Sequence, residues 1–181
     1  MARSNNTLYA ILGIIAHGPR SGYDIRKQFN ASLRFFWSES YGQIYPMLKQ
    51  IEREGYAEPV ESNDSRRKKL YRITPEGQTV FRQWLSEPVN PINYRDELLL
   101  KIFVAGPQDA KAILALLASE REELEKNVAV LKEQESQALQ QYHNRVPPTW
   151  MLTLRYGIHS MEARLRWCEE AIHDLRGKGE V

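Results

Sequence analysis

The stretch SNDSRRKKLYRITPEG, residues 62–77, sets four consecutive cations, Arg66, Arg67, Lys68 and Lys69, against an alternating apolar run. Taken alone, such a run is a solvated face. If it meets a partner, its chemistry is the gripping of a polyanion, because Lys and Arg displace the counterions that phosphates condense. Upstream, Ser40, Tyr41, Gln43, Tyr45, Lys49 and Arg53 supply three hydroxyls, an amide and two further cations. Hydroxyls donate to phosphate oxygens, Gln bonds adenine in bidentate fashion, and Lys suits phosphate or guanine. Tyr23 belongs to the same class, at a place where a helix dipole would help it hold an anion. A second reading stays open for Tyr23 and Tyr45, as core aromatics whose hydroxyls find local partners.

Catalysis finds no foothold. The four histidines, His17, His143, His159 and His173, share no metal-ligand spacing. There is no glycine-rich phosphate loop and no nucleophile elbow. Glu120, Glu122, Glu123 and Glu125 fall on a helical stretch, where they form a solvated acidic face. The single cysteine, Cys168, excludes an intramolecular disulfide and a cysteine-rich metal site. No cofactor or metal is expected.

The elements that must position these residues follow from composition and periodicity. Hydrophobic content of 42% and charged content of 27% are those of a globular chain able to bury a core. No apolar stretch approaches the roughly twenty residues of a membrane span. Tyr9 and His17 interrupt the N-terminal apolar run, which argues against a signal peptide and for the cytoplasm. Charge is uneven. Residues 1–88 hold thirteen Lys and Arg against nine Asp and Glu, whereas residues 89–181 hold twelve against fourteen. The first half is therefore the better surface for an acidic partner.

Leu8, Ile11, Leu12 and Ile15 mark one face of a first helix, closed by Gly18-Pro19. Ser21 is the expected N-cap of a second helix, with Asp24 three positions on, running to about Leu33. Ile44, Met47, Leu48 and Ile51 repeat the helical spacing before Gly55. Pro46 belongs in a first turn, so this helix begins near Ile44, or begins at Ser40 and bends. The period then changes to that of two short strands flanking the tip Ser62–Lys69. Thr74-Pro75-Glu76-Gly77 restarts a helix with Val80, Phe81 and Leu85 as apolar positions. Helix, helix, helix, hairpin, helix is the order of a winged helix-turn-helix.

Pro88 and Pro91 mark the break to an all-helical region. Leu98 to Val104 is a short helix, Ala110 to about Gln141 a long one, and a last helix runs from about Thr149 to Leu175. In that last helix Leu154, Ile158, Met161, Leu165, Cys168, Ile172 and Leu175 keep an unbroken 4-3 spacing. A stripe of this kind seeks another helix, and its length favours burial partly against a second chain. Cys168 then acts as a small hydrophobe within it.

The phrases SGYDIRKQF, FFWSESYGQIYPMLKQIEREGYAEP and KLYRITPEG together resemble the PadR-type transcriptional regulators. The short RDELLLKIF helix followed by two long ones resembles the larger subfamily, whose C-terminal region is like that of AphA-type virulence activators. The resemblance implies a mainly α protein. Residues 1–88 would form a winged helix-turn-helix DNA-binding domain with a two-stranded wing, and residues 89–181 an all-α dimerisation and effector domain. It further implies a homodimer on two-fold operator DNA, held together by the α-helical arm. Most relatives repress and are released by a small molecule; AphA-type proteins activate. A phenolic or other aromatic acid would find rings and cations in Phe36, Trp37, Tyr41, Trp150, Arg155, Tyr156 and His159. The alternative function is a helical interaction module whose winged domain binds protein instead of DNA.

Overall fold

The computed structural model describes residues 6–32, 43–61, 68–92, 95–141 and 149–177, which form two compact units, residues 1–91 and 92–181. In the first unit, α1 (Asn6–Ala16) buries Leu8, Ile11, Leu12 and Ile15, the four positions that its spacing picks out. A two-residue strand, β1 (Arg20–Ser21), leads into α2 (Gly22–Ser32). Ser21 caps α2 reciprocally with Asp24. The Asp24 backbone N–H donates to Ser21 Oγ at 3.2 Å, and Ser21 Oγ donates to Asp24 Oδ2 at 2.6 Å. This bond, chiefly, holds the Asp24 carboxyl below its ordinary range.

The third helix, α3, is Ile44–Arg53, which settles the question posed by Pro46. Proline sits at the third helical position, where no intrahelical donor is lost. Gly55 closes α3 at φ 76°, a left-handed conformation that costs a side chain-bearing residue energy and glycine none. β2 (Ala57–Val60) and β3 (Leu70–Ile73) follow as an antiparallel pair in the register Ala57↔Ile73 through Val60↔Leu70. The wing is the two-stranded hairpin expected, and β1 adds a third strand by pairing with the other edge of β3, giving the order β1-β3-β2. Two residues are too few for strand periodicity to be seen in a sequence.

Thr74 caps α4 (Pro75–Ser86), accepting from the Gly77 N–H at 3.1 Å, with Pro75 at the first helical position. Phe81 packs on the core, but Leu85 is exposed, against expectation. Trp84 takes the inward role instead, stacking on Tyr9 at 5.0 Å between ring centroids. Ile11, Leu12, Ile25, Leu48 and Ile51 lose all access to water. At about 1.5–3 kcal/mol per buried aliphatic side chain, this cluster outweighs the surface ion pairs, which contribute about 0–1 kcal/mol each.

The second unit is helical. Asp96 caps α5 (Glu97–Val104) through the Leu99 N–H, and a 3-10 turn (Pro107–Asp109) leads into α6 (Ala110–Gln141). α7 (Trp150–Gly177) returns antiparallel along α6, as the pairs Glu135–Arg155, Lys132–Glu162 and Glu120–Arg164 record. Arg164 joins three elements: its Nε donates to Glu120 Oε1 at 2.5 Å, its Nη1 to the capping carboxylate of Asp96, and its plane lies near Trp167. The Asp96 bond, first among its contacts, raises the guanidinium's pKa still further. No helix among the described residues is long and apolar enough to cross a membrane.

Candidate nucleic-acid interface

α3 divides its side chains by face. Ile44, Leu48 and Ile51 are buried, Met47 packs beside them, and Gln43, Tyr45, Lys49 and Arg53 stand in water on the other side. The division follows from 3.6-residue periodicity alone. Gln43 occupies the N-cap position without a side-chain cap bond, so its amide is available at the helix start.

The N-termini of α2 and α3 lie close together, and Gly22 is the reason. A Cβ on Gly22 would fall 2.7 Å from Tyr45 Cε1 and 3.2 Å from Leu48 Cδ1. Tyr23 and Tyr45 are 53% and 52% exposed, so the core reading of these two rings is wrong. Their apolar neighbours fill the interior without them. Two cations attend Tyr23: Arg26, one helical turn on, lies 5.7 Å from the ring centroid, and Lys68 of the wing lies 5.9 Å from it.

The wing cations have different roles. Lys69 Nζ reaches Glu52 of α3, 2.7 Å from Oε2 and 3.0 Å from Oε1, and stands 5.1 Å from the Tyr71 ring. The bond to Glu52 raises its pKa above the ordinary lysine value. Arg72 is paired directly across the ladder with Glu58 at 2.7 Å. Ser40, Tyr41, Arg66 and Arg67 lie outside the described residues. Sequence reasoning passed over Arg26 and the counter-ion Glu52. The first was visible as a cation at i+3 from Tyr23; the second depends on a contact across seventeen residues and carries no local signal.

The seven-residue stripe of α7 packs in part against its own chain. Ile158, Cys168 and Ile172 are buried in the single chain, while Met161, Leu165 and Leu175 pack beside Leu117, Leu124 and Ile113 of α6, with Leu154 half-buried. Burial pushes the Cys168 thiol pKa up, which makes it an inert filler. Instead, α5 leaves apolar groups in water: Leu100, Phe103 and Val104 are 61%, 86% and 69% exposed. Of the residues expected to meet an aromatic acid, Phe36, Trp37 and Tyr41 lie outside the described residues. Trp150, Tyr156 and His159 are exposed on α7, and Arg155 is bonded to Glu135 at 2.6 Å.

An exposed polar helix face beside a charged hairpin, over a three-helix core, is the arrangement of a winged helix-turn-helix. Residues 11–83 match the family model described as the Transcriptional regulator PadR-like family, and residues 94–176 match Virulence activator alpha C-term. Together these matches support a PadR-family regulator, and that family is one of transcriptional regulators and not of enzymes.

The Negative transcriptional regulator PadR of Bacillus subtilis is 37% identical over 99 residues, covering 52% of this chain and about half, 54%, of that protein. The crystal structure of Bacillus subtilis PadR in complex with operator DNA has a TM-score of 0.83 at 25% identity, covering 96% of this chain and 99% of the other. The same protein in complex with p-coumaric acid gives 0.74 at 26% identity, covering 93% and 97%. The Vibrio cholerae virulence activator AphA gives 0.75 at 28% identity, covering 95% and 99%.

Proposed function

We propose that this chain is a cytoplasmic, homodimeric repressor that holds a two-fold operator through α3 and the wing and releases it when a small aromatic acid binds. The observation that carries the reading is the face of α3. Gln43, Tyr45, Lys49 and Arg53 project into water from a helix whose other side is fully buried, so the backbone is rigid where the side chains must read. Gln43 suits a base edge, whereas Lys49, Arg53 and the wing cations suit phosphate, as do the hydroxyls of Ser40, Tyr41 and Tyr45. Repression is favoured by the printed name of the Bacillus subtilis relative.

A second copy is the partner that the exposed face of α5 favours, since Leu100, Phe103 and Val104 are left uncovered by their own unit. On this reading α5 joins the half-buried members of the α7 stripe, Leu154, Met161, Leu165 and Leu175, in the dimer contact. The aromatic acid is favoured by the p-coumaric acid complex of the Bacillus subtilis protein. On α7, His159 and the rings of Trp150 and Tyr156 supply suitable chemistry, and Arg155 would have to leave Glu135 to meet a carboxylate.

Footprinting on the promoter region beside the protein's own gene tests the reading. Two protected half-sites one helical turn or a multiple apart, lost on adding p-coumaric acid or a related phenolic acid, are expected. Protection of a single half-site would overturn the dimer, and protection insensitive to every aromatic acid tried would overturn the effector.

A further inference from the structure

Tyr23 is the residue whose surroundings the DNA-binding reading leaves unexplained. A tyrosine that serves only through its hydroxyl needs no cations at its ring, yet Arg26 and Lys68 both lie within 6 Å of the centroid. The two come from different elements. Arg26 is on α2, while Lys68 is two residues before β3 and thus belongs to the wing. Both lie within reach of the ring quadrupole, whose attraction for a cation persists at exposed sites because the weakly hydrated ring face loses little on contact. Lys68 also lies near Asp24, whose lowered pKa it helps to maintain. Asp24 is itself fixed by Ser21.

We propose that the Tyr23 ring is a platform that positions the wing cation Lys68 beside the α2 cation Arg26, so that one patch of paired positive charge is preassembled for the DNA backbone. This rests on the reading that this face meets DNA, and it deepens that reading in two ways. It makes Arg26 a phosphate-facing residue, and it makes Tyr23 a positioning residue whose aromatic face, not its hydroxyl, matters. Without the ring, the wing base keeps its tie to α3 through Lys69 and Glu52 but loses its tie to α2. Lys68 would then regain rotamer freedom that binding must remove again. Preassembly of this kind acts on affinity by lowering the ordering cost at the moment of contact.

The test compares full-length Tyr23→Phe and Tyr23→Leu on operator DNA, with Lys68→Gln as a third variant. Phe keeps the π face and removes the hydroxyl; Leu keeps bulk and removes both. The expected result is Phe within about twofold of wild type and Leu weaker by roughly five- to tenfold. Lys68→Gln should cost less in the Leu background than in wild type, because there the phosphate contact it removes already carries the ordering cost. Equal weakening of Phe and Leu would show that the hydroxyl is the working group and overturn the proposal. So would full affinity in Leu. Thermal unfolding checks that each variant is folded, as the exposure of Tyr23 predicts.

A DNA-free measurement separates this inference from the reading beneath it. The Lys68 side-chain methylene protons should be shifted upfield by the ring in wild type and Phe, and not in Leu. Absence of that shift in wild type overturns the platform even if DNA binds. A clear shift with no binding of operator DNA by wild type would keep the ring contact and sink its use on phosphate.

Discussion

Lys69 of the wing is bonded to Glu52 of α3 through both carboxylate oxygens, at 2.7 and 3.0 Å, across seventeen residues of sequence. The bond ties the hairpin to the helix proposed to read DNA, and it withholds one of the four wing cations from phosphate. A Lys69 that moves to DNA must leave Glu52 behind unpaired. Glu52→Gln should therefore tighten DNA binding several-fold at moderate salt. It should also steepen the dependence of log K on log salt by about 0.9, the slope of one further phosphate contact. Anisotropy over a salt series reads both. An unchanged slope would mean that the bond to Glu52 does not decide whether Lys69 meets phosphate.

Gly77 allows α4 to start against β2. A Cβ there would fall 2.1 Å from the carbonyl oxygen of Tyr56, which already accepts the Thr74 N–H at 3.0 Å. The obstacle is backbone and cannot rotate away, so Gly77→Ala should cost about 3 kcal/mol or more in urea unfolding. Gly177→Ala, with nothing within 4 Å of the added carbon, should change stability by no more than about 0.5 kcal/mol.

The two apolar surfaces of the second unit should respond differently. Phe103→Ser on α5 should weaken the dimer at least tenfold in sedimentation equilibrium while the helical content of the chain is kept. Ile172→Ala, in the buried stripe of α7, should cost about 2–4 kcal/mol of unfolding free energy. A wild-type dimer from Phe103→Ser would remove α5 from the interface.

Asp96 sets a pH dependence. Chiefly because Arg164 bonds it, its carboxyl titrates below the ordinary 3.8. A group whose folded pKa is depressed stabilises above the unfolded value and loses that contribution as pH falls through the folded one. Wild type should lose stability below about pH 4, and Asp96→Asn should be less stable at pH 7 but flatter in that window. Asn preserves the cap of α5, so the difference reports the ion pair. Parallel curves would contradict the assignment.

Much of this fold was legible in the sequence because its determinants are local. The caps Ser21 and Thr74, the terminating Gly55, and the apolar spacings of α1, α3, α6 and α7 act within a few residues of themselves. β1 was hidden because its two residues acquire strand character only by pairing with β3. Leu85 misled because apolar character alone does not say which of two adjacent positions, 84 or 85, turns inward. The α7 stripe was correctly seen as a packing surface. Whether its partner is α6 or another chain depends on how the hairpin closes, which no spacing encodes. Of the site, the exposed face of α3 followed from periodicity. The role of Glu52 came only with its tertiary contact to the wing, whereas Arg26 was legible at i+3 from Tyr23.

The central claim is that unit one binds operator DNA by its α3 face and cationic wing. Its most direct test is fluorescence anisotropy of the full chain on the promoter fragment beside its own gene, against scrambled DNA of equal length, across a salt series. The account predicts preference for the native fragment at every salt concentration, with log K falling linearly as log salt rises. Equal affinity for both fragments, or binding to neither at low salt, would contradict it.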